Sequence, residues 1–300
     1  MFGDNIYYRF FQLLGQMMVA VFLFYSGYGI FVSASEKGKK YIKDFPKKRI
    51  LKTYLFFAAA VLLYLIVGLL RGKSFATSQI ALSFIGWESL GNSNWFMFAI
   101  IFLYIATYIS ALITKRQINI KTIILITFIS LAYVVALYKL KPGETWWCDT
   151  VLCYAAGMTF ACYKNQIDSL LNKRYYLATI PLILFFGVYY FMVHSTGITI
   201  ILMYDILSCL FCIIISAITY HIKIDNTLLQ FLGRYGFEIY ILQRIPDILF
   251  QPVLGDYAIP FFLISFSCTI LISVAYQKFM TTAFAKIIDN QPTKRLKHQS

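Results

Sequence analysis

Nine apolar runs of about 17–25 residues, separated by short polar loops, decide most of what this chain can fold into. A hydrocarbon core about 30 Å thick is crossed by roughly 20 helical residues. Inside it no water satisfies backbone amides and carbonyls, so each run must close its own hydrogen bonds as a helix. The runs cover residues 10–33, 54–70, 95–113, 122–140, 146–163, 175–193, 198–220, 228–250 and 257–280. The eighth is interrupted by Arg234, Glu238, Arg244 and Pro246. The expected fold is an all-α, polytopic transmembrane helical bundle. It forms one domain over residues 1–290, followed by a polar cytoplasmic tail at 291–300. Composition agrees: with 60% hydrophobic and only 13% charged residues, there is too little charge to clothe a soluble surface.

The net charge of +14 does not point to nucleic acid, because the cations lie in short loops and no basic soluble domain is present. Their distribution orients the chain instead. Twenty Lys and Arg fall on one side of the bundle and six on the other, and the positive-inside rule makes the richer side cytoplasmic. The C-terminus is then inside and the N-terminus outside. An exported N-terminus without a signal peptide predicts a further helix, entering from the cytoplasm, upstream of Met1.

The six cysteines lie in or beside apolar runs and are read as small packing residues. No His, Asp, Glu or Cys cluster has ligand spacing, so no metal is expected.

Several segments, in order, carry a resemblance. Residues 22–30 (FLFYSGYGI) are followed by a lysine-rich loop ending in residues 45–50 (FPKKRI). Asn94-Trp95-Phe96-Met97 opens the third run, Trp147 leads to Gly157-Met158, and Leu232-Gly233 leads through Ile239-Tyr240-Ile241-Leu242-Gln243 to Pro246. Together they resemble the integral-membrane acyltransferases of family 3, which O-acylate bacterial surface carbohydrates. The resemblance implies ten spans and residence in the bacterial cytoplasmic membrane among lipids. It also implies a cytoplasmic acyl-CoA donor, usually acetyl-CoA, used as co-substrate with no bound cofactor, and a carbohydrate or lipid-linked glycan as acceptor. It further implies a catalytic histidine in a first span upstream of the SGYG segment. His194, His221 and His298 do not fall there, so the chain as it stands is expected to lack that span and its base, through a misplaced start, a truncation or a decayed gene.

Ser26 and Gly27 allow close approach to the backbone, either by the donor or by a neighbouring helix. No His–Asp partner lies near Ser26, so a serine nucleophile is not supported. Lys48 and Arg49 can bind CoA phosphates, or serve only topology. Asn94, Trp95, Tyr240 and Gln243 are the candidate acceptor residues. Trp87 and Trp146 are read as members of an interfacial aromatic belt.

Among ionisable residues inside the runs, Glu238 and Asp205 are the candidates to assist a base, although no catalytic group is assigned. Arg234 and Glu238, four apart, can instead form a structural pair. His194 is read as a solvated interfacial residue. The competing function is a non-enzymatic transporter or flippase of lipid-linked glycans, which calls for paired broken helices.

Overall fold

The computed structural model describes residues 6–195, 201–222 and 226–288. In chain order the helices are α1 (Ile6–Lys37), α2 (Lys39–Phe45), α3 (Lys52–Leu70), α4 (Thr77–Phe84), α5 (Trp95–Ile113), α6 (Ile120–Leu140), α7 (Leu152–Cys162), α8 (Lys164–Ser195), α9 (Ile201–His221), α10 (Thr227–Leu242), α11 (Arg244–Leu254) and α12 (Ala258–Ile288). A π-helical turn, Pro46–Leu51, joins α2 to α3, and a 3-10 turn, Thr145–Trp147, precedes α7. The tail at 291–300, with His298, lies outside the described residues, as does the side chain of His194.

Seven helical segments among the described residues are long and apolar enough to cross a membrane, so the chain is a polytopic helical bundle. Their outward faces are apolar: Leu70, Phe128, Phe191 and Leu271 are all exposed, as a surface bathed in lipid requires. Two segments read as spans are built differently. Residues 146–163 comprise the 3-10 turn, further turns and the 11-residue α7, which alone reaches only about 17 Å. Residues 228–250 are interrupted at Gln243, the single residue between α10 and α11, and Pro246 removes a backbone donor just after it. The span read at 175–193 starts just past a break at Arg174, whose φ of −141° and ψ of 45° lie outside the helical region.

The chain divides into two compact units, Met1–Ile50 with Ala99–Ile224 and Leu51–Phe98 with Asp225–Ser300. In the first, α7 is the central element and is packed by α1, α6, α8 and α9, with α1 its most extensive partner. The reason is steric. A Cβ on Gly27 would stand 2.0 Å from the Tyr154 carbonyl oxygen, and one on Gly157 would stand 1.9 Å from the Phe24 carbonyl oxygen. Each glycine therefore seats the backbone of the opposite helix. Lys115 and Arg116, both in the left-handed region (φ 58° and 61°), end α5. Asn119 and Thr122 then start α6 with a reciprocal capping box.

In the second unit, α12 packs on α10 and α11, and both of these also touch α3. The Tyr276 hydroxyl donates to the Phe56 carbonyl of α3, and the Phe56 ring meets those of Tyr276 and Phe237.

Gly157→Ala is expected to lower stability by about 3 kcal/mol through overpacking. Gly29→Ala, with nothing within 4 Å of its would-be Cβ, should be neutral or stabilising by up to about 1 kcal/mol. Thermal unfolding of the purified protein compares them, and equal melting temperatures would reject the two-glycine contact.

Candidate functional site

The basic stretch after α2 does not present its cations alike. The π-turn starting at Pro46 leaves Lys47 and Lys48 exposed, while Arg49 is half-buried. Lys48 is paired with Asp44 at 2.9 Å. Arg49 instead lies beside the hydroxyl groups of Tyr41 and Tyr104, with Tyr154 also within electrostatic reach. Behind it, Ser26 Oγ and Tyr104 Oη share a hydrogen bond of 2.9 Å, and Tyr154 Oη meets Thr107 Oγ1 at 2.7 Å. The Tyr41 hydroxyl is buried without a hydrogen bond of good geometry.

No carboxylate pairs with Arg49 among the described residues. A half-buried guanidinium surrounded by hydroxyls and lacking an acidic partner is suited to an incoming anion. π-turns are often found at functional sites. Of the four residues read as donor-binding, Ser26 and Arg49 thus fall in one cluster. Lys48 points elsewhere, and the open side of Gly27 is filled by α7.

The carboxylates read as helpers of a base differ from each other. Asp205 of α9 is fully buried, and its Oδ1 accepts the Leu152 amide at 3.1 Å, capping the start of α7 from another helix. Close by, Asp149 accepts from Gln16 Nε2, and its carbonyl accepts from Ser208 Oγ at 3.1 Å. Glu238 of α10 is buried, with Gln277 and Lys52 as its polar neighbours and Oε2 unpartnered. Arg234 is exposed and is not paired with Glu238 among the described residues. Helical spacing allowed that ion pair, but burial separates its two ends. Cys153 Sγ lies 3.6 Å from Cys209 Sγ, both as free thiols between α7 and α9.

In the second unit Asn94, Trp95 and Tyr240, three of the four residues read as acceptor-binding, lie around the start of α5. Asn94 Nδ2 donates to the Gly86 carbonyl at 3.0 Å, so this side chain holds its own loop. Trp95 opens α5, and Trp87 packs edge-on against Phe98. Tyr240 of α10 stands edge-on to Phe96 with ring centroids 5.0 Å apart, beside Ser93. Gln243, the single residue between α10 and α11, offers its carbonyl to Thr269 at 3.5 Å. Tyr64, Asp149 and Tyr104 belong to these polar clusters too. Sequence reasoning missed the tyrosines, since a hydroxyl within an apolar run leaves no periodic trace, and missed Asp149, which its position as an ionisable residue inside the run 146–163 could have flagged.

If Asp205 caps α7, Asp205→Ala should cost about 1–2 kcal/mol, whereas Asp205→Asn, which keeps an acceptor oxygen, should retain most of that stability. Melting temperatures compare the two, and equal losses would rule out the cap.

The family model described as "Acyltransferase domain" matches residues 2–278. No curated protein and no solved structure matches the chain at a significant level. With the match running through both units, from α1 into α12, the chain belongs to this family of membrane acyltransferases.

Proposed function

We propose that this acyltransferase moves an acyl group, acetyl in the simplest case, from acyl-CoA to a sugar hydroxyl of a surface glycan, working in the bacterial cytoplasmic membrane with its donor entering from the cytoplasm. The observation that carries the donor assignment is Arg49, turned from the exposed Lys48–Asp44 pair toward Tyr41 and Tyr104 without a carboxylate of its own. A CoA phosphate would supply the missing negative charge. In the reaction the sugar oxygen attacks the thioester carbonyl carbon, its proton passes to a base, the C–S bond breaks, and CoA leaves as its thiol after reprotonation. Each of the two carboxylates keeps one oxygen unpartnered, and Glu238 is the better candidate to handle a proton because the other oxygen of Asp205 caps α7. Lipids surround the bundle, and the acceptor is a carbohydrate or a lipid-linked glycan.

One observation favours the rival. The break in 228–250 has a counterpart in 146–163, and paired broken helices are a transporter trait. Membranes supplied with labelled acetyl-CoA and glycan distinguish the two. Acylated glycan with release of CoA thiol supports the enzyme reading, and glycan translocation without CoA release would sink it.

Arg49→Ala should raise KM for acyl-CoA on the order of tenfold or more, the cost of one charge-assisted contact, while leaving KM for the acceptor unchanged. Lys48→Ala should shift the donor KM by no more than about twofold, as expected of an exposed pair. Steady-state kinetics in nanodiscs read both, and equal effects would return Arg49 to a purely topological role.

A further inference from the structure

A second polar cluster, within the unit Leu51–Phe98 with Asp225–Ser300, holds buried polar atoms that the protein leaves unmatched. Asn92 Oδ1 accepts from the Leu90 amide at 3.0 Å and from Ser89 Oγ at 3.4 Å. This fixes Nδ2 as its free end, and Nδ2 is buried without a partner. The same turn packs on α11 and α3: a Cβ on Gly91 would meet Ile248 at 2.9 Å and Tyr64 at 3.9 Å.

The Tyr64 hydroxyl lies beside the backbone of Arg244 and Ile245 at the start of α11. The Tyr240 hydroxyl lies beside Ser93 and the backbone of Phe96. Neither hydroxyl completes a hydrogen bond of good geometry, although Tyr64 is 1%, Asn92 3% and Tyr240 9% exposed. Leaving three such groups unsatisfied inside a membrane protein is costly. Arg244, exposed at the start of α11, acts electrostatically on both tyrosines. Asp247 of α11 lies beside Ser265 and within electrostatic reach of Arg244.

The unmatched side-chain groups can all donate: an amide nitrogen and two hydroxyls, with an exposed guanidinium at their edge. We propose that Asn92, Tyr64, Tyr240 and Arg244 form the seat for an oxyanion carried by the acceptor, a carboxylate or a phosphate, so that the acceptor is an acidic or phosphate-bearing glycan. Calling the ligand an acceptor rests on the acyl-transfer reading above; the anion seat is testable without it. Arg244, at the exposed edge, meets the anion first and gives bidentate geometry. Asn92 and the tyrosines fix its orientation.

The full chain in nanodiscs of zwitterionic lipid is titrated calorimetrically with three probes: an oligosaccharide containing glucuronic acid, the same oligosaccharide with that carboxyl reduced to an alcohol, and glycerol phosphate. The charged probes should bind on the order of tenfold or more tighter than the neutral one. Arg244→Ala should abolish that difference. Tyr64→Phe, which removes only an oxygen, should weaken the charged probes about fivefold, and Arg71→Ala, an exposed cation elsewhere in the same unit, should change nothing. Tighter binding of the uronic acid assigns an acidic sugar, and tighter binding of glycerol phosphate assigns a phosphate-bearing acceptor. Equal affinity for charged and neutral probes, or a preference that survives both Arg244→Ala and Tyr64→Phe, overturns the seat. An acetyl-transfer assay run in parallel separates the two ideas. Transfer to the neutral oligosaccharide without anion binding sinks the seat and leaves the enzyme reading, whereas anion binding without transfer to any acceptor does the reverse.

Discussion

The close passage of α1 over α7 is the contact on which the rest of the first unit depends. In lipid, apolar side chains gain little by leaving their surroundings for one another, so helices must associate through dispersion, polar contacts and near approach of backbones. Gly27 and Gly157 provide that approach from both sides, each leaving room for a carbonyl of the partner helix. Because α7 is only 11 residues long, it cannot be held in place by its own length across the bilayer. It is held instead by α1 on one face, by α6, α8 and α9 on the others, and by a carboxylate lent from α9 to its first amide.

That arrangement also explains where the polar groups go. Ser26 precedes Gly27 and Tyr154 supplies the carbonyl that Gly27 receives, so the two residues are brought together by the same contact. Ser26 then bonds to Tyr104, and Tyr154 to Thr107, on the same turn of α5. The hydroxyls are mutually satisfied, which keeps the cost of burying them small. Arg49 meets this layer with donors and no acceptor of full charge. That missing negative charge is the observation on which the proposed donor assignment rests.

Much of the fold could be read from the sequence, because length and hydropathy act locally. The run at 95–113 is α5 to the residue, and those at 54–70 and 122–140 differ from α3 and α6 only by two residues at the start. What could not be read was set by distant partners. Nothing in residues 146–163 reveals that they break before Leu152, since the carboxylate that caps the break comes from position 205. The different fates of Lys48 and Arg49 are likewise invisible, because they follow from a π-turn that changes the face each side chain takes. The two clusters were half legible. Ser26, Arg49 and Tyr240 were found through segments that resemble a family, whereas Tyr64, Tyr104 and Asn92 matter through hydrogen bonds made or left unmade.

Gly27 and Arg49 show why a shared motif should not be read as a shared role. Both belong to the stretch that carries the family resemblance, yet the steric and electrostatic facts separate them. Gly27 has no room beside it, since a methyl group there would overlap a carbonyl oxygen; its value lies in letting α7 come close. Arg49 has charge but no acidic partner among the described residues. The proposed donor site in the first unit therefore needs the glycine only indirectly, as the support that places Ser26 and Tyr154 behind the guanidinium. Loss of that support would displace the hydroxyls and loosen Arg49, so activity would fall along with stability. Loss of Arg49 itself would remove an anion contact from a bundle whose α1–α7 packing is intact. The two kinds of residue are distinguished by whether function can be lost while the fold remains.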